Sequence, residues 1–198
     1  MEQRALSLSK LAGILILLSC VWSCRQAVVP KPVVIPAAYL PATDPGLSRH
    51  QDTLYYHAGK YSGYVYQLLD VGDTLLLFGY CDGLKEGFLK KWYPNKQLQE
   101  LRYYHQGKKN GIHTGWWENG IKKFEFRIVD DLNEGNFKEW NHAGRLIKDF
   151  NYLNGQEQGS EKLWWNDGTI RANYVVNNGK KYGLIGMKIC RNVYDTTR

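Results

Sequence analysis

Glycine recurs at 63, 87, 111, 135, 159 and 183, and every interval is 24 residues. A fixed period of this length marks an array of one small unit, each copy burying its apolar face against its neighbours. Other columns keep the same phase. Counting each of these glycines as position 0, position +5 reads Leu68, Trp92, Trp116, Trp140 and Trp164. Position +9 reads Gly72, Lys96, Gly120, Gly144 and Gly168, and position +20 reads Gly83, Gly107, Asp131, Gly155 and Gly179. The pattern gives full repeats starting at 63, 87, 111, 135 and 159, with a stub at 183. A half repeat precedes them, the strand-like run 52–57 followed by Gly59.

Each period divides into two strands and two turns. Positions +7 to +9 read Pro94-Asn95-Lys96, Glu118-Asn119-Gly120, His142-Ala143-Gly144 and Asn166-Asp167-Gly168. A three-residue hairpin loop is a type I turn followed by a left-handed residue, usually glycine. That loop predicts a register with +5 opposite +11, +3 opposite +13 and +1 opposite +15. Side chains alternate faces along a strand, so the odd positions should share the apolar face. Phe124, Phe126 and Ile128 do alternate with Glu125 and Arg127, and Ile170, Ala172, Tyr174 and Val176 follow the same rule. The same parity assigns Trp92, Trp116, Trp140 and Trp164 to the core face as structural aromatics. The second turn, around +19 to +21, reads Asp82-Gly83, Gln106-Gly107 or Asn178-Gly179, another hairpin signal. The expected fold is all-β: an elongated antiparallel meander of 24-residue hairpins in a single twisted or curled sheet. The array is expected over 51–188, with a C-terminal tail at 189–198.

The N-terminus carries a different kind of information. Arg4 and Lys10 precede the apolar run Leu11–Leu18, which is shorter than the ~20 residues a spanning helix needs and has the proportions of a secretory signal. It leads into Leu17-Leu18-Ser19-Cys20 and then Val21-Trp22-Ser23-Cys24. Both look like a bacterial lipobox, where a small residue before a thiol permits cleavage and the thiol takes a diacylglyceryl group. Cys20 fits better, with Leu17 three residues before it; Cys24 is the alternative. Residues 1–19 are thus expected to be a lipoprotein signal peptide. Residues 20–50 are expected to be a tether, because Pro30, Pro32, Pro36, Pro41 and Pro45 favour extended, semi-rigid geometry.

With these residues in view, the array resembles the variant form of the MORN repeat: Gly, a few residues, an aromatic, a Pro-Asn-Gly turn, an aromatic-rich strand and an Asp-Gly-Lys turn. The likeness is carried by Gly87…Trp92-Tyr93-Pro94-Asn95, Gly111…Trp116-Trp117-Glu118-Asn119-Gly120 and Gly159…Trp164-Trp165-Asn166-Asp167-Gly168, and covers about 63–186. Lys96 and Asp131 depart from the pattern at turn positions. The resemblance implies β-hairpin arrays that bind proteins or lie near membranes; some bacterial members are described as antitoxin components.

The residues point to binding and not to catalysis. The chain has no serine elbow, no phosphate-binding glycine loop and no HExxH pair, and no cofactor is expected. His57, Cys81 and His105 share the +18 column. Residues of one column stand ~9.6 Å apart in a flat meander, too far for one metal ion, so no metal site is expected. Cys81 and Cys190 lie more than four repeats apart and are expected to be free thiols. The net charge of +7 is spread among 19 acids without a dense basic cluster, which argues against a nucleic-acid partner. Position +6 reads Leu69, Tyr93, Trp117, Asn141 and Trp165, aromatics on an otherwise charged face. Tyr93, Trp117 and Trp165, edged by Tyr103, Lys91 and Lys123, are the candidate binding strip. The expected function is a lipid-anchored binding or scaffold module of the bacterial cell envelope, reaching the membrane through its N-terminal lipid and meeting an unidentified protein or glycan partner. The alternative is an immunity or antitoxin-like protein.

Overall fold

The computed structural model describes residues 33–186. The expected signal peptide at 1–19, the candidate lipidation residues Cys20 and Cys24, Cys190 and the tail at 189–198 lie outside them. Within them the chain is all-β, an antiparallel meander in which each long strand from Gly63–Leu68 to Lys180–Leu184 pairs with the long strands next to it in sequence. The sheet does not close: its edges are Tyr39–Pro41 and Lys180–Leu184.

The loop at +7 to +9 forms as its residues dictate. In the second repeat the Tyr93 carbonyl accepts from Lys96 N at 3.0 Å and Tyr93 N donates to Gln97 O at 2.9 Å. Trp117, Asn141 and Trp165 repeat both bonds. Lys96 takes φ +67° where Gly120 and Gly144 take +82° and +78°, so the lysine departs in residue type and not in conformation. At the other end of each hairpin, pairs such as Asp82-Gly83, Gln106-Gly107 and Asn154-Gly155 have positive φ at both residues, the type I′ signature. Asp130 and Asp131 adopt the same shape without a glycine, at +48° and +70°.

The register differs from expectation in one respect, and it differs in every repeat. Trp92 faces Leu98 as predicted, but Lys91 then faces Glu100, leaving Gln99 as an extra residue. The same one-residue bulge follows Leu68, Trp116, Trp140 and Trp164. A one-residue slip exchanges the faces of everything beyond it. On the second strand of each hairpin the odd positions do form the buried face, including Ile128, Phe150, Tyr174 and Val176. On the first strand, however, it is the even positions +2 and +4 that join them. Leu89, His113 and Glu161, all at +2, are buried. The +5 tryptophans therefore stand on the opposite side of their strand from +4. Trp92, Trp116, Trp140 and Trp164 are half-buried and belong to neither buried cluster, a correction to their assignment to the core face.

The position-0 glycines are not turn residues either. The strand Lys108–Trp116 carries two more residues than its partner between Asn110 and Thr114, and Gly111 sits in that bulge at φ +74°. Gly135 does the same at +75°. A backbone kink requiring positive φ explains why this column is all glycine.

The stretch 20–50 expected as a tether extends into the described residues. Residues 33–50 are within the described fold, and Tyr39–Pro41 pairs in parallel with Gly63–Leu68. Tyr64 N donates to Ala38 O and Ala42 N donates to Tyr66 O, both at 2.7 Å, while Tyr39 stacks on Tyr64 at 5.1 Å. Proline lacks a donor but is tolerated on an edge strand, so Pro41 ends the sheet without breaking it. The half repeat is displaced from that edge. It forms a separate three-stranded sheet of Leu47–His50, Thr53–Tyr56 and Gly59–Lys60, packed through Leu54 and Tyr61 against Tyr80.

Candidate binding surface along the loop edge

The +7 to +9 loops succeed one another along one edge of the sheet, and side chains tie each to the next. Asn95 Nδ2 donates to Glu118 O and Asn119 Nδ2 donates to His142 O, each at 3.0 Å. The +6 aromatics reach further inward. Tyr93 Oη donates to Trp116 O at 3.1 Å, and Trp117 Nε1 donates to Trp140 O at 3.0 Å. The Trp117 ring also stacks on His142, 3.6 Å between centroids and 25° between planes. Lys123 Nζ stands 4.2 Å from the Trp117 ring centre, and the Arg171 guanidinium stands 4.7 Å from that of Trp165. So the +12 residue covers the +6 aromatic of its own hairpin.

The opposite edge is tied in the other direction. At four type I′ turns the second residue donates its N–H to the preceding repeat: Gly83 to Tyr61 O, Gly107 to Lys85 O, Asp131 to Lys109 O and Gly155 to Asn133 O, at 2.8–3.1 Å. Before Gly63, Gly87 and Gly135 the preceding residue adds a side-chain bond. Glu86 Oε2 accepts from Gln106 N and Glu134 Oε2 from Asn154 N at 2.9 Å, and Ser62 Oγ accepts from Asp82 N at the same distance. Glu86 Oε1 lies 3.0 Å from His105 Nδ1. This polar column at 62, 86, 110, 134 and 158 was visible as sequence, but its purpose depends on the bulge beside it.

The structure brings Tyr93, Trp117 and Trp165 to one edge and sets Lys123 on Trp117. It does not join Lys91 and Tyr103 to them. Tyr103 pairs with Phe88, its ring 5.2 Å away edge-on, whereas Lys91 lies three residues from Phe88 and hence on the other face. Trp165 is the most open of the three, 47% exposed. Cys81 is a half-buried free thiol, and among the described residues no three His, Cys, Asp or Glu side chains gather around one point.

Two buried titratable groups sit in the +2 column. His113 is fully buried, its Nε2 3.1 Å from Tyr103 O and its Nδ1 without a partner, and burial holds its pKa below the usual histidine value. Its ring lies 5.5 Å from Phe126. Glu161 is also fully buried, accepting from Asn151 N at 3.1 Å, and burial pushes it up to about 7.

Where the +6 column reads Asn141, the ladder of aromatics is interrupted. Asn141 Oδ1 turns back onto its own loop, accepting from Ala143 N and Arg145 N at 3.0 Å, and its Nδ2 reaches Asn166 Oδ1 at 3.3 Å. An open cleft of about 580 Å³ lies here, lined by Trp117, Asn141, His142, Ala143, Arg145, Ile147 and Asn166. No protein-family model and no curated protein matches the chain.

Proposed function

We propose that this chain is a MORN-like repeat module that serves as a lipid-anchored binding or scaffold protein of the bacterial cell envelope. The observation that supports it most is the open sheet itself, a single layer whose outward residues include Tyr39, Phe88 and Ile112, each more than half exposed. Exposed apolar residues on a rigid, extended frame suit recognition of another molecule. The anchor is supported by the n-region, apolar run and lipobox pattern of residues 1–24.

Crosslinking followed by pull-down from native envelopes tests the binding reading: reproducible capture of an envelope protein or glycan supports it, and a bare chain across several growth conditions overturns it. Capture of a secreted toxin moves the reading to an immunity protein. Globomycin tests the anchor separately. Accumulation of the unprocessed chain is expected, and unaltered processing rules the lipid out.

A further inference from the structure

The interruption at Asn141 is a vacancy with a defined shape. In two other repeats the +6 ring lies over the next loop and its polar tip reaches the next +5 carbonyl, as Tyr93 does to Trp116 and Trp117 to Trp140. Asn141 is too short to do so. Its amide stops at Asn166, and among the described residues no side chain donates to the equivalent carbonyl, Trp164 O. The cleft opens in the place an aromatic at 141 would fill, between His142 and Asn166. The wall changes too. Position +12 is Lys123 beside Trp117 and Arg171 beside Trp165, but Ile147 beside the cleft, an apolar surface where those two of the other four hairpins present a cation. No carboxylate lines the cleft, and the Arg145 guanidinium at its rim is held by Asn166 O at 3.3 Å.

We propose that this notch receives a tyrosine or tryptophan side chain of a partner polypeptide, inserted as the chain's own Trp117 and Tyr93 insert one and two repeats earlier. The ring packs on Ile147 and beside Trp117, and its O–H or N–H supplies the missing donor. Such an anchor is the kind of residue that dominates protein interfaces: an aromatic body with a polar tip. The proposal rests on the binding-module reading and names the chemistry that the module recognises.

The test uses the full chain and small probes. Saturation-transfer NMR with N-acetyl-tyrosinamide and N-acetyl-tryptophanamide should show binding. N-acetyl-phenylalaninamide, which lacks the donor, should bind about two- to tenfold more weakly, the worth of one hydrogen bond. Asn141→Trp should restore the ladder, raise the melting temperature and abolish the probe signals. Ile147→Asp, which sets a carboxylate against the negative face of the ring, should weaken the signals without refilling the notch. Probe signals absent from the wild type, or equal in wild type and both variants, overturn the proposal and leave the envelope pull-down to be judged separately. A partner captured from envelopes equally well by wild type and N141W overturns the notch while upholding the module.

Discussion

The indole N–H of Trp117 donates to the carbonyl of Trp140, 3.0 Å away and 23 residues downstream. The equivalent phenol of Tyr93 donates to Trp116. These bonds connect successive repeats at a point where the strands themselves have ended, so they should contribute to the stability of the array. Tyr93→Phe and Trp117→Phe should each destabilise the chain by about 1 kcal/mol, the net worth of a hydrogen bond plus a carbonyl left unpaired. Trp165→Phe, at a position with no such bond among the described residues, should cost less. Urea midpoints for the three variants decide it; equal losses would remove the ladder as a source of stability.

Lys96 occupies the left-handed slot that glycine fills in the other repeats. A side chain there costs roughly 1–2 kcal/mol. Its exposed ion pair with Asp73, 3.0 Å long, returns little of that. Lys96→Gly should therefore stabilise the protein by about 1 kcal/mol, seen as a rise in melting temperature.

Two glycines should resist substitution for different reasons. At Gly135 nothing lies within 4 Å of where a Cβ would stand, but φ is +75°, so Gly135→Ala should cost about 1 kcal/mol through the backbone alone. Gly115 has no such strain; instead the Phe124 ring lies against its backbone, in the space a Cβ would need. Gly115→Ala should displace that ring. Combining it with Phe124→Ala should cost less than the two single losses added together, whereas Gly135→Ala with Phe124→Ala should be additive.

Glu161 and His113 give stability opposite dependences on pH. Burial raises the Glu161 pKa from about 4.5 to about 7. Between those values the folded chain holds a proton that the unfolded chain has released, so this residue's contribution falls as pH rises from 4.5 and levels off above 7. Glu161→Gln should therefore gain on the wild type across that window, by up to about 3 kcal/mol at pH 8. His113 is depressed instead. Its contribution is full above the ordinary value of 6.5 and falls as pH drops below it, because the unfolded chain takes up the proton first. His113→Phe should flatten that acid limb. Urea titrations from pH 4 to 8 read both slopes.

Much of the fold was legible because it is written in residues with strong backbone preferences. Glycine, asparagine and proline set the two turn types, and their spacing set the period. The bulge was not legible. Its extra residue is Gln99, Lys123, Ile147 or Arg171, with no shared chemistry, and yet it reverses which parity of the first strand is buried. The tryptophans were misplaced for that reason alone. The strand Tyr39–Pro41 was hidden by proline-rich composition, which describes an edge strand as well as a spacer. At the site, the +6 column was readable, but the direction in which each ring leans was not, because it depends on how one loop lies against the next. Asn141 could be seen as an odd member of its column; that it leaves a cleft could not.

The two edges of the sheet are fastened in opposite directions, forward through the loops and backward through the type I′ turns. The array therefore has a polarity, and its unit can be copied. Inserting one complete 24-residue segment anywhere between 87 and 158 should leave every fastening satisfied, whereas inserting half a segment should leave loops facing turns. A chain of this design can change its length in fixed steps, like a ruler with one graduation, without redesigning its interior. Each added step would also carry a new +6 position, free to be closed by an aromatic or left open as at Asn141.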